Sequence, residues 1–167
     1  TRALLGRLVA LCAMMGGRVL VHGSPAQRAP VATDAASGSI SQLAAFFAPV
    51  ARAAEAAGVT YCIEPLSPAE TPVINTVAQG AQLVDAIGSP AFRTMIDTSA
   101  AGQAEATPVA ELLRYWLPGD AVAHVQLNDT NRGAPGMGND PFHDILRALR
   151  DAAWPHPVAV EPFRTCV

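Results

Sequence analysis

Three carboxylates and one amide in this sequence have the types and the spacing of a metal site. Glu64, Asp97, Gln126 and Glu161 follow one another at intervals of 33, 29 and 35 residues. Each interval is about the length of one strand-plus-helix unit, and each residue closes a short apolar run. Oxygen ligands suit a hard divalent cation, and converging like charges need such a cation or a shared proton. The set therefore predicts a divalent metal site.

The segments around these four residues alternate between strand and helix patterns. Apolar runs predict strands at residues 18–23, 60–65, 92–98, 121–129 and 157–163. Helical spacing with start and stop residues predicts helices at residues 3–15, 39–57, 75–87, 107–117 and 141–154. Segments rich in Pro, Gly, Ala and Ser are predicted as loops, at residues 24–38, 99–106 and 130–140.

This order of elements predicts an α/β protein with a parallel sheet covered by helices. Uninterrupted units of this length favour a (β/α)8 TIM barrel over an open sheet, and barrel enzymes build their sites at the carboxyl rim. A complete barrel takes about 250 residues, whereas this chain has 167 and five strand patterns. We therefore expect one domain over residues 1–167, truncated at both ends.

Strand alternation divides the apolar residues between the barrel interior and the helices, because side chains two positions apart share a face. The residues expected inside, below the rim residues, are Cys62, Met95, His124 and Ala159. The residues expected to face the surrounding helices are Tyr61, Ile63, Ile96, Val125 and Val160.

Composition excludes several classes of function. The net charge of −3 and the pI of about 5.7 provide no broad attraction to nucleic acid or to an anionic membrane. The chain contains no lysine, so no Schiff-base amine is available in this segment.

The apolar stretch 8–17 is too short to span a bilayer. Cys12, Cys62 and Cys166 form no CxxC pair, which favours a reducing, cytoplasmic location.

Three more residues near the predicted rim are candidates for substrate contact. His22 ends the first strand and could reach the rim or serve the turn. His124 shares a face with Gln126, and its alternative is a neutral buried histidine bonded to a neighbour. Arg132 stands in the Gly-rich loop 128–138 and could clamp a hydroxyl or a phosphate. The glycines of that loop are assigned to the turn, because no phosphate-binding glycine pattern is present.

Several motifs occur in a characteristic order along almost the whole chain. They are VHGSPAQR, YCIEP, MIDTSAAGQAE, HVQLNDTNRGAPGMG and VEPF. In this order they resemble the xylose isomerase-like family of barrels, the sugar phosphate isomerase/epimerase group. The resemblance is specific to the superfamily and weak on substrate.

The resemblance implies a metal-dependent sugar enzyme. Ketose 3-epimerases and hydroxypyruvate isomerase of this family bind Mn²⁺, Co²⁺ or Mg²⁺ at four strand ends. By motif these ligands are Glu64, Asp97, Gln126 and Glu161, and the catalytic glutamates are Glu64 and Glu161. The third ligand is His in the epimerases and Gln in the hydroxypyruvate isomerase type, so Gln126 is an allowed variant.

Two substrate contacts and one departure also follow from the resemblance. Glu70 and Arg132, each six residues after a proposed ligand, match positions that contact substrate in the epimerases. The epimerases carry a substrate-binding His three residues after the metal Asp, and here that residue is Ala100. The departure implies a substrate different from that of the ketohexose 3-epimerases.

The resulting hypothesis is a divalent-metal-dependent isomerase or epimerase of a small sugar or sugar-derived hydroxy-carbonyl compound. One glutamate removes a proton and the other returns it, through a metal-bound ene-diolate. One alternative is an apurinic-site endonuclease-like nuclease, which the four histidines and the acidic balance disfavour. Another is a non-catalytic truncated barrel with unpaired strand edges. The metal, the sugar and the formation of a homo-oligomer are left open.

Overall fold

The computed structural model describes residues 2–26 and 38–163, which form five strands and six helices. The strands are β1 Val19–His22, β2 Thr60–Ile63, β3 Phe92–Asp97, β4 Val122–Leu127 and β5 Ala159–Val160. The helices are α1 Arg2–Met14, α2 Ile40–Ala57, α3 Val77–Ile87, α4 Thr98–Ala104, α5 Val109–Trp116 and α6 Phe142–Asp151.

The five strands form one parallel sheet in the order β1-β2-β3-β4-β5, curved into half of a barrel. Each strand pairs with the next one in the chain, and a helix crosses between them, as in a (β/α)8 barrel. The register places Val21 beside Cys62 and Asp97 beside Gln126. All carboxyl ends therefore lie along one rim, and the predicted fold class is confirmed.

Local sequence signals set the ends of the two central helices. The Oγ of Ser39 accepts a hydrogen bond from the backbone N–H of Gln42 and so caps α2. Thr76 and Gln79 form a reciprocal capping box at the start of α3. Gly58 and Gly88 end these helices with φ of 67° and 65°, a left-handed conformation that glycine adopts without steric cost.

The hydrophobic core has two parts, on the convex side of the sheet. The first lies between α1, α2, α3 and strands β1 to β3, where Phe47, Tyr61 and Phe92 are almost fully buried. The second lies between α5, α6 and strands β3 and β4, centred on Leu113 and Ile145. Both parts pack the helices against the convex face of the sheet. The candidate ligands lie on the opposite, concave face, at the rim.

Strand alternation is confirmed for most of the outward positions. Tyr61 and Ile63 lie in the first core part, and Ile96 and Val125 lie in the second. Val160 pairs with Leu127 of the second core part, which places it on the predicted outward face, but its side chain is 57% exposed. The last strand is also much shorter than the predicted segment 157–163.

The segment 99–106 was predicted as a loop, and this prediction is wrong for most of it. Residues Thr98–Ala104 form α4, directly after β3. Asp97 caps this helix by accepting a hydrogen bond from the backbone N–H of Ala100 at 2.8 Å. A helix begun by a strand-end aspartate fixes the position of that carboxylate.

Two predictions fall wholly or partly outside the described residues. Most of the loop predicted at 24–38 lies there, and so does Cys166. Across the described ranges, none of the helices combines the length and apolar character needed to cross a membrane.

Candidate metal centre

A cavity of about 390 Å³ opens at the carboxyl rim of the half-barrel. Its wall includes all four predicted metal ligands, namely Glu64, Asp97, Gln126 and Glu161. They come from the ends of four different strands, β2 to β5. The concave side of the sheet therefore brings together residues that are far apart in sequence.

The three carboxylates of this group are close enough to share one ion. Glu64, Asp97 and Glu161 each offer an oxygen, and these oxygens lie within 4.8 Å of one another. Glu64 and Asp97 are buried, whereas Glu161 is exposed at the open side of the cavity. Ligands on opposite sides of a cation of this type lie about 4–5 Å apart, since each metal–oxygen distance is about 2.0–2.6 Å.

The side-chain oxygen of Gln126 is a second, independent indication of a cation site. Its Oε1 is buried, and among the described residues it has no hydrogen-bond partner. A buried carbonyl oxygen without a partner is costly, and the same oxygen is a competent ligand for a hard cation. The donor set of three carboxylates and one amide oxygen thus fits a divalent ion such as Mn²⁺, Mg²⁺ or Co²⁺.

The environment of Asp97 controls its charge. Burial raises the pKa of Asp97 to about 6, and the nearby Glu161 adds to the rise, while hydrogen bonds from Ala100 and Asn128 oppose it. The side chain of Asn128 donates to Oδ2 of Asp97 at 2.5 Å, and its Oδ1 accepts from the backbone N–H of Glu161 at 2.8 Å. A positive ion beside these carboxylates would favour their charged forms.

Glu70 and Arg132 face each other across the mouth of the cavity. The Nη1 of Arg132 donates to Oε1 of Glu70 at 2.9 Å. Burial acts to raise the pKa of Glu70, but hydrogen bonds from Ser67 and Arg132 outweigh it, so the pKa is lowered. Glu70 is therefore ionised at neutral pH. The pair offers both an acceptor and a forked donor to a polar molecule in the cavity.

The backbone of Arg132 is held in an unusual conformation. Its φ is 67°, in the left-handed region that residues with a Cβ rarely adopt. Its backbone N–H donates to the carbonyl of Asp129 at 2.7 Å, and its guanidinium lies 4.3 Å from the ring centre of Phe163. Strain of this kind is concentrated at functional sites, and Arg132 lines the cavity.

Gly23 and Phe163 are among the residues on the wall of the cavity that were not predicted as site residues from the sequence. Gly23 follows β1, and a Cβ there would come within 1.9 Å of Oε2 of Glu64. Phe163 lies under Arg132 and lines the same cavity. Alternation could have found both, because Gly23 lies two positions after the inward Val21, and Phe163 two positions after Glu161.

The structure does not bring His22 or His124 to the wall of this cavity. His22 points outward from β1, where its Nδ1 is hydrogen-bonded to the hydroxyl of Tyr61 and its ring packs edge-on against Phe47. His124 is half-buried one layer deeper than Gln126, and burial lowers its pKa, so the ring is neutral at pH 7. Neither residue is retained as a substrate contact.

The position three residues after Asp97 is occupied by Ala100, which lines the cavity. Ser99 and Gln103 stand beside it, and the Nε2 of Gln103 donates to the carbonyl and the hydroxyl of Ser99. Polar groups on the first turns of α4 thus border the space that the small Ala100 side chain leaves open.

A parallel half-barrel with a carboxylate cluster at its carboxyl rim defines a TIM-barrel protein with a candidate metal site. The family model described as "Xylose isomerase-like TIM barrel" matches residues 1–166. The chain belongs to the xylose isomerase-like TIM barrel family, and the resemblance inferred from its motifs is confirmed.

Similar proteins include sugar epimerases. The chain is 34% identical over 106 residues to D-psicose 3-epimerase of Agrobacterium fabrum, covering 64% of this chain and 36% of that protein. It is 30% identical over 164 residues to L-ribulose 3-epimerase of Mesorhizobium japonicum, covering 96% of this chain and 53% of that protein. A crystal structure of D-psicose 3-epimerase determined in the presence of D-fructose superposes with a TM-score of 0.83 at 26% identity.

The length of these relatives exceeds that of the chain. The superposition covers 99% of this chain but 57% of the D-psicose 3-epimerase chain. The chain thus spans about half the length of the proteins that it resembles. Four of its five parallel strand ends, those of β2 to β5, carry the candidate ligands.

Proposed function

We propose that this protein is a divalent-metal-dependent epimerase or isomerase of a small ketose. The single observation that carries the proposal is the meeting of three carboxylate oxygens within 4.8 Å beside the partnerless amide oxygen of Gln126. The similarity to a D-psicose 3-epimerase and an L-ribulose 3-epimerase supports a ketose as the substrate class.

Glu64, Asp97, Gln126 and Glu161 are the residues proposed to hold the ion. When bound, a divalent cation supplies Lewis-acid stabilisation of the negative oxygen that develops next to a carbon losing its proton. The donors are all oxygens, which favours Mn²⁺, Mg²⁺ or Co²⁺ over softer metals.

Glu64 and Glu161 are proposed to move the proton. One carboxylate takes the proton from the carbon between a carbonyl and a hydroxyl, which leaves an ene-diolate. The other glutamate, in its carboxylic acid form, gives its proton to the opposite face of that carbon or to the adjacent carbon and becomes the carboxylate. The two glutamates reach the cavity from different strands, β2 and β5. They can thus approach a flat ene-diolate from different directions.

Glu70 and Arg132 are proposed to orient the substrate. Both line the cavity and are already hydrogen-bonded to each other, so little side-chain freedom is lost when a sugar hydroxyl binds between them. The cavity wall carries four carboxylates and the single guanidinium of Arg132 among the described residues. This charge balance suits a neutral sugar better than the phosphates of a nucleic acid, which the nuclease alternative requires.

The cavity near Ala100 is proposed to determine which ketose is preferred. A methyl group makes no hydrogen bond, so the substrate hydroxyl nearest to it must be satisfied by Ser99, Gln103 or water. The preferred ketose is therefore expected to differ from that of epimerases with a histidine at this position.

The proposal is tested by solvent exchange in the full chain. Purified protein is stripped of metal, reloaded with Mn²⁺ and incubated in deuterated water with a panel of pentuloses and hexuloses. Proton abstraction and return is expected to incorporate one deuterium into a product or recovered substrate, measured by mass spectrometry and proton NMR. Chelation with EDTA should stop the exchange.

Two variants and a matched control make the test specific. Glu64→Gln and Glu161→Gln should each slow exchange by about 10²–10⁴-fold, the usual contribution of a general acid or base. Glu111→Gln, at an exposed position in the first turn of α5, should exchange like the unmodified protein. Near-normal exchange in both site variants would eliminate this mechanism, and no exchange with any ketose would favour a non-catalytic barrel.

A further inference from the structure

The buried amide of Asn128 occupies a central place beside the candidate metal site. It lies one residue after the end of β4, two positions beyond Gln126, and its exposure is 0%. A buried amide needs partners for both its oxygen and its N–H groups. The function proposed above assigns no contact to this side chain, so its partners must explain why a polar residue is placed there.

The side chain of Asn128 joins the ends of three strands. Its Nδ2 donates to Oδ2 of Asp97, at the end of β3, at 2.5 Å. Its Oδ1 accepts from the backbone N–H of Glu161, directly after β5, at 2.8 Å. One amide group therefore fixes the carboxylate of one candidate ligand and the backbone of another.

The backbone of Asn128 is itself clamped. The hydroxyl of Thr98 accepts from the backbone N–H of Asn128 at 2.8 Å and donates to its carbonyl at 2.6 Å. Thr98 is also 0% exposed. These two hydrogen bonds hold the backbone of Asn128 in place. The hydrogen bonds of its side chain to Asp97 and Glu161 then orient the amide.

The hydrogen bonds of Asp97 fix the orientation of its carboxylate. Oδ1 accepts from the backbone N–H of Ala100 at 2.8 Å, and Oδ2 accepts from Asn128. Each oxygen has at least one donor, which sets the plane of the carboxylate, and a carboxylate has further lone pairs that can face the cavity. Few side chains of this size could replace Asn128, because Asp lacks the donor and Leu lacks both groups.

We infer that Asn128 is a positioning residue for the metal site, which orients the carboxylate of Asp97 and places Glu161 around the same ion. The inference rests on the proposed function, since the ion is part of that function. Groups that orient metal ligands in this way influence the affinity for the metal without touching the ion.

The inference is tested by measuring Mn²⁺ binding rather than activity. Isothermal titration of the metal-free full chain gives the dissociation constant for the unmodified protein, for N128L and for N128D. Both variants are expected to raise the dissociation constant by about 10–100-fold, the range typical of lost ligand-orienting contacts. The matched control is N131L, because the Asn131 amide bonds only Gly133 and Met137 within the adjoining loop in the described contacts.

The outcomes separate the inference from the function on which it rests. If the unmodified protein binds no Mn²⁺, the proposed metal function fails, and the inference fails with it. If it binds Mn²⁺ and both Asn128 variants bind within about twofold of it, the inference alone is overturned, because such ligand-orienting contacts are worth more than this. If Asn128 has a purely structural role, its substitution should lower the free energy of unfolding without changing the affinity of the folded protein for Mn²⁺.

Urea unfolding without metal measures the change in stability. If N128L does not fold, the affinity of N128D, which has the shape of Asn, is compared with that of the unmodified protein.

Discussion

Gly23 and Glu64 lie so close together that the absence of a side chain at Gly23 determines where the Glu64 carboxylate can stand. A Cβ built on Gly23 would come within 1.9 Å of Oε2 of Glu64 and 3.0 Å of its carboxyl carbon. Gly23 follows β1 and Glu64 follows β2, and the register of these strands places them side by side. The Glu64 carboxylate, which follows β2, thus occupies the space next to Gly23 that a side chain at this position would fill.

Replacing this glycine should disturb the metal site more than the fold. Gly23→Ala is expected to displace the Glu64 carboxylate and to raise the dissociation constant for Mn²⁺ by about 10–100-fold, as for other changes that misplace ligands. Calorimetric titration measures the effect. Gly119→Ala is the control, because its Cβ would meet only the carbonyl of Trp116 at an ordinary 3.6 Å. Equal affinity in both variants would contradict the role of Gly23 in placing the Glu64 carboxylate at the ion.

A second glycine should matter for stability alone. A Cβ on Gly80 in α3 would come within 2.2 Å of the hydroxyl of Thr94, which donates to the carbonyl of Ile63 on the adjacent strand. Gly80→Ala should lower the free energy of unfolding by about 1–3 kcal/mol, the usual cost of overpacking a core. Urea unfolding measures it.

The control for Gly80 is another helical glycine with free space around it. A Cβ on Gly6 in α1 meets nothing within 4 Å. Gly6→Ala should therefore be neutral or stabilise the protein by up to about 1 kcal/mol, since Ala has the higher helix propensity. Loss of stability to the same extent in both variants would contradict the packing described for α3.

The pKa of Asp97 predicts a pH dependence of the metal-free protein. Burial raises this pKa from 3.8 to about 6, so between these values the folded chain binds a proton that the unfolded chain has released. The resulting stabilisation is complete below pH 3.8 and is lost as the pH rises through about 6. Urea unfolding of metal-free protein across this window should show the loss.

Comparison with Asp97→Asn isolates this effect from other titrating groups. The amide does not ionise, so the difference in unfolding free energy between the unmodified protein and the variant should fall as the pH rises. Parallel curves for the two proteins over the whole window would show that Asp97 titrates normally.

Arg132 should affect substrate binding through the shape of its guanidinium. Arg132→Lys keeps the charge but loses the forked donor that meets Glu70, and charge-assisted hydrogen bonds are worth about 1.5–3 kcal/mol. For a ketose that exchanges, KM is expected to rise about tenfold, with a smaller change in kcat. Arg114→Lys on the exposed face of α5 is the control. A fall in kcat with KM unchanged would place Arg132 in the chemical step instead.

Cys62 should be unreactive while the chain is folded. Its side chain is 0% exposed inside the half-barrel, and burial raises the pKa of its thiol to about 12, against a small opposing effect of Arg93. Alkylation by iodoacetamide followed by peptide mapping should leave Cys62 unmodified in native protein and modify it in urea. Rapid native labelling of Cys62 would show that the barrel interior opens to solvent.

The positions of the site residues were predictable because they follow from periodicity. A strand-plus-helix unit repeats every 30 residues or so in a parallel barrel, and so Glu64, Asp97 and Gln126 could be assigned to neighbouring strand ends from spacing alone. Alternation within a strand correctly placed Tyr61 and Ile96 against the helices, because the side-chain period of two leaves no other choice.

Other features depend on contacts that spacing does not encode. Helix α4 was missed because its sequence of small residues has a weak pattern, and its start depends on the cap that Asp97 provides in three dimensions. His22 was expected at the rim because it ends the strand, but Val21 is the inward residue of β1 and the aromatic ring joins Phe47 in the core. The role of Asn128 is set by partners on two other strands.

The number of ions that the chain binds at these four strand ends is the most direct test of the proposed metal site. Metal-free protein is titrated calorimetrically with Mn²⁺, alongside Asp97→Ala and Gln126→Leu. One ion per chain is expected, with binding strongly weakened in both variants. Absence of binding in the unmodified protein, or binding that neither variant changes, would contradict the proposed metal site.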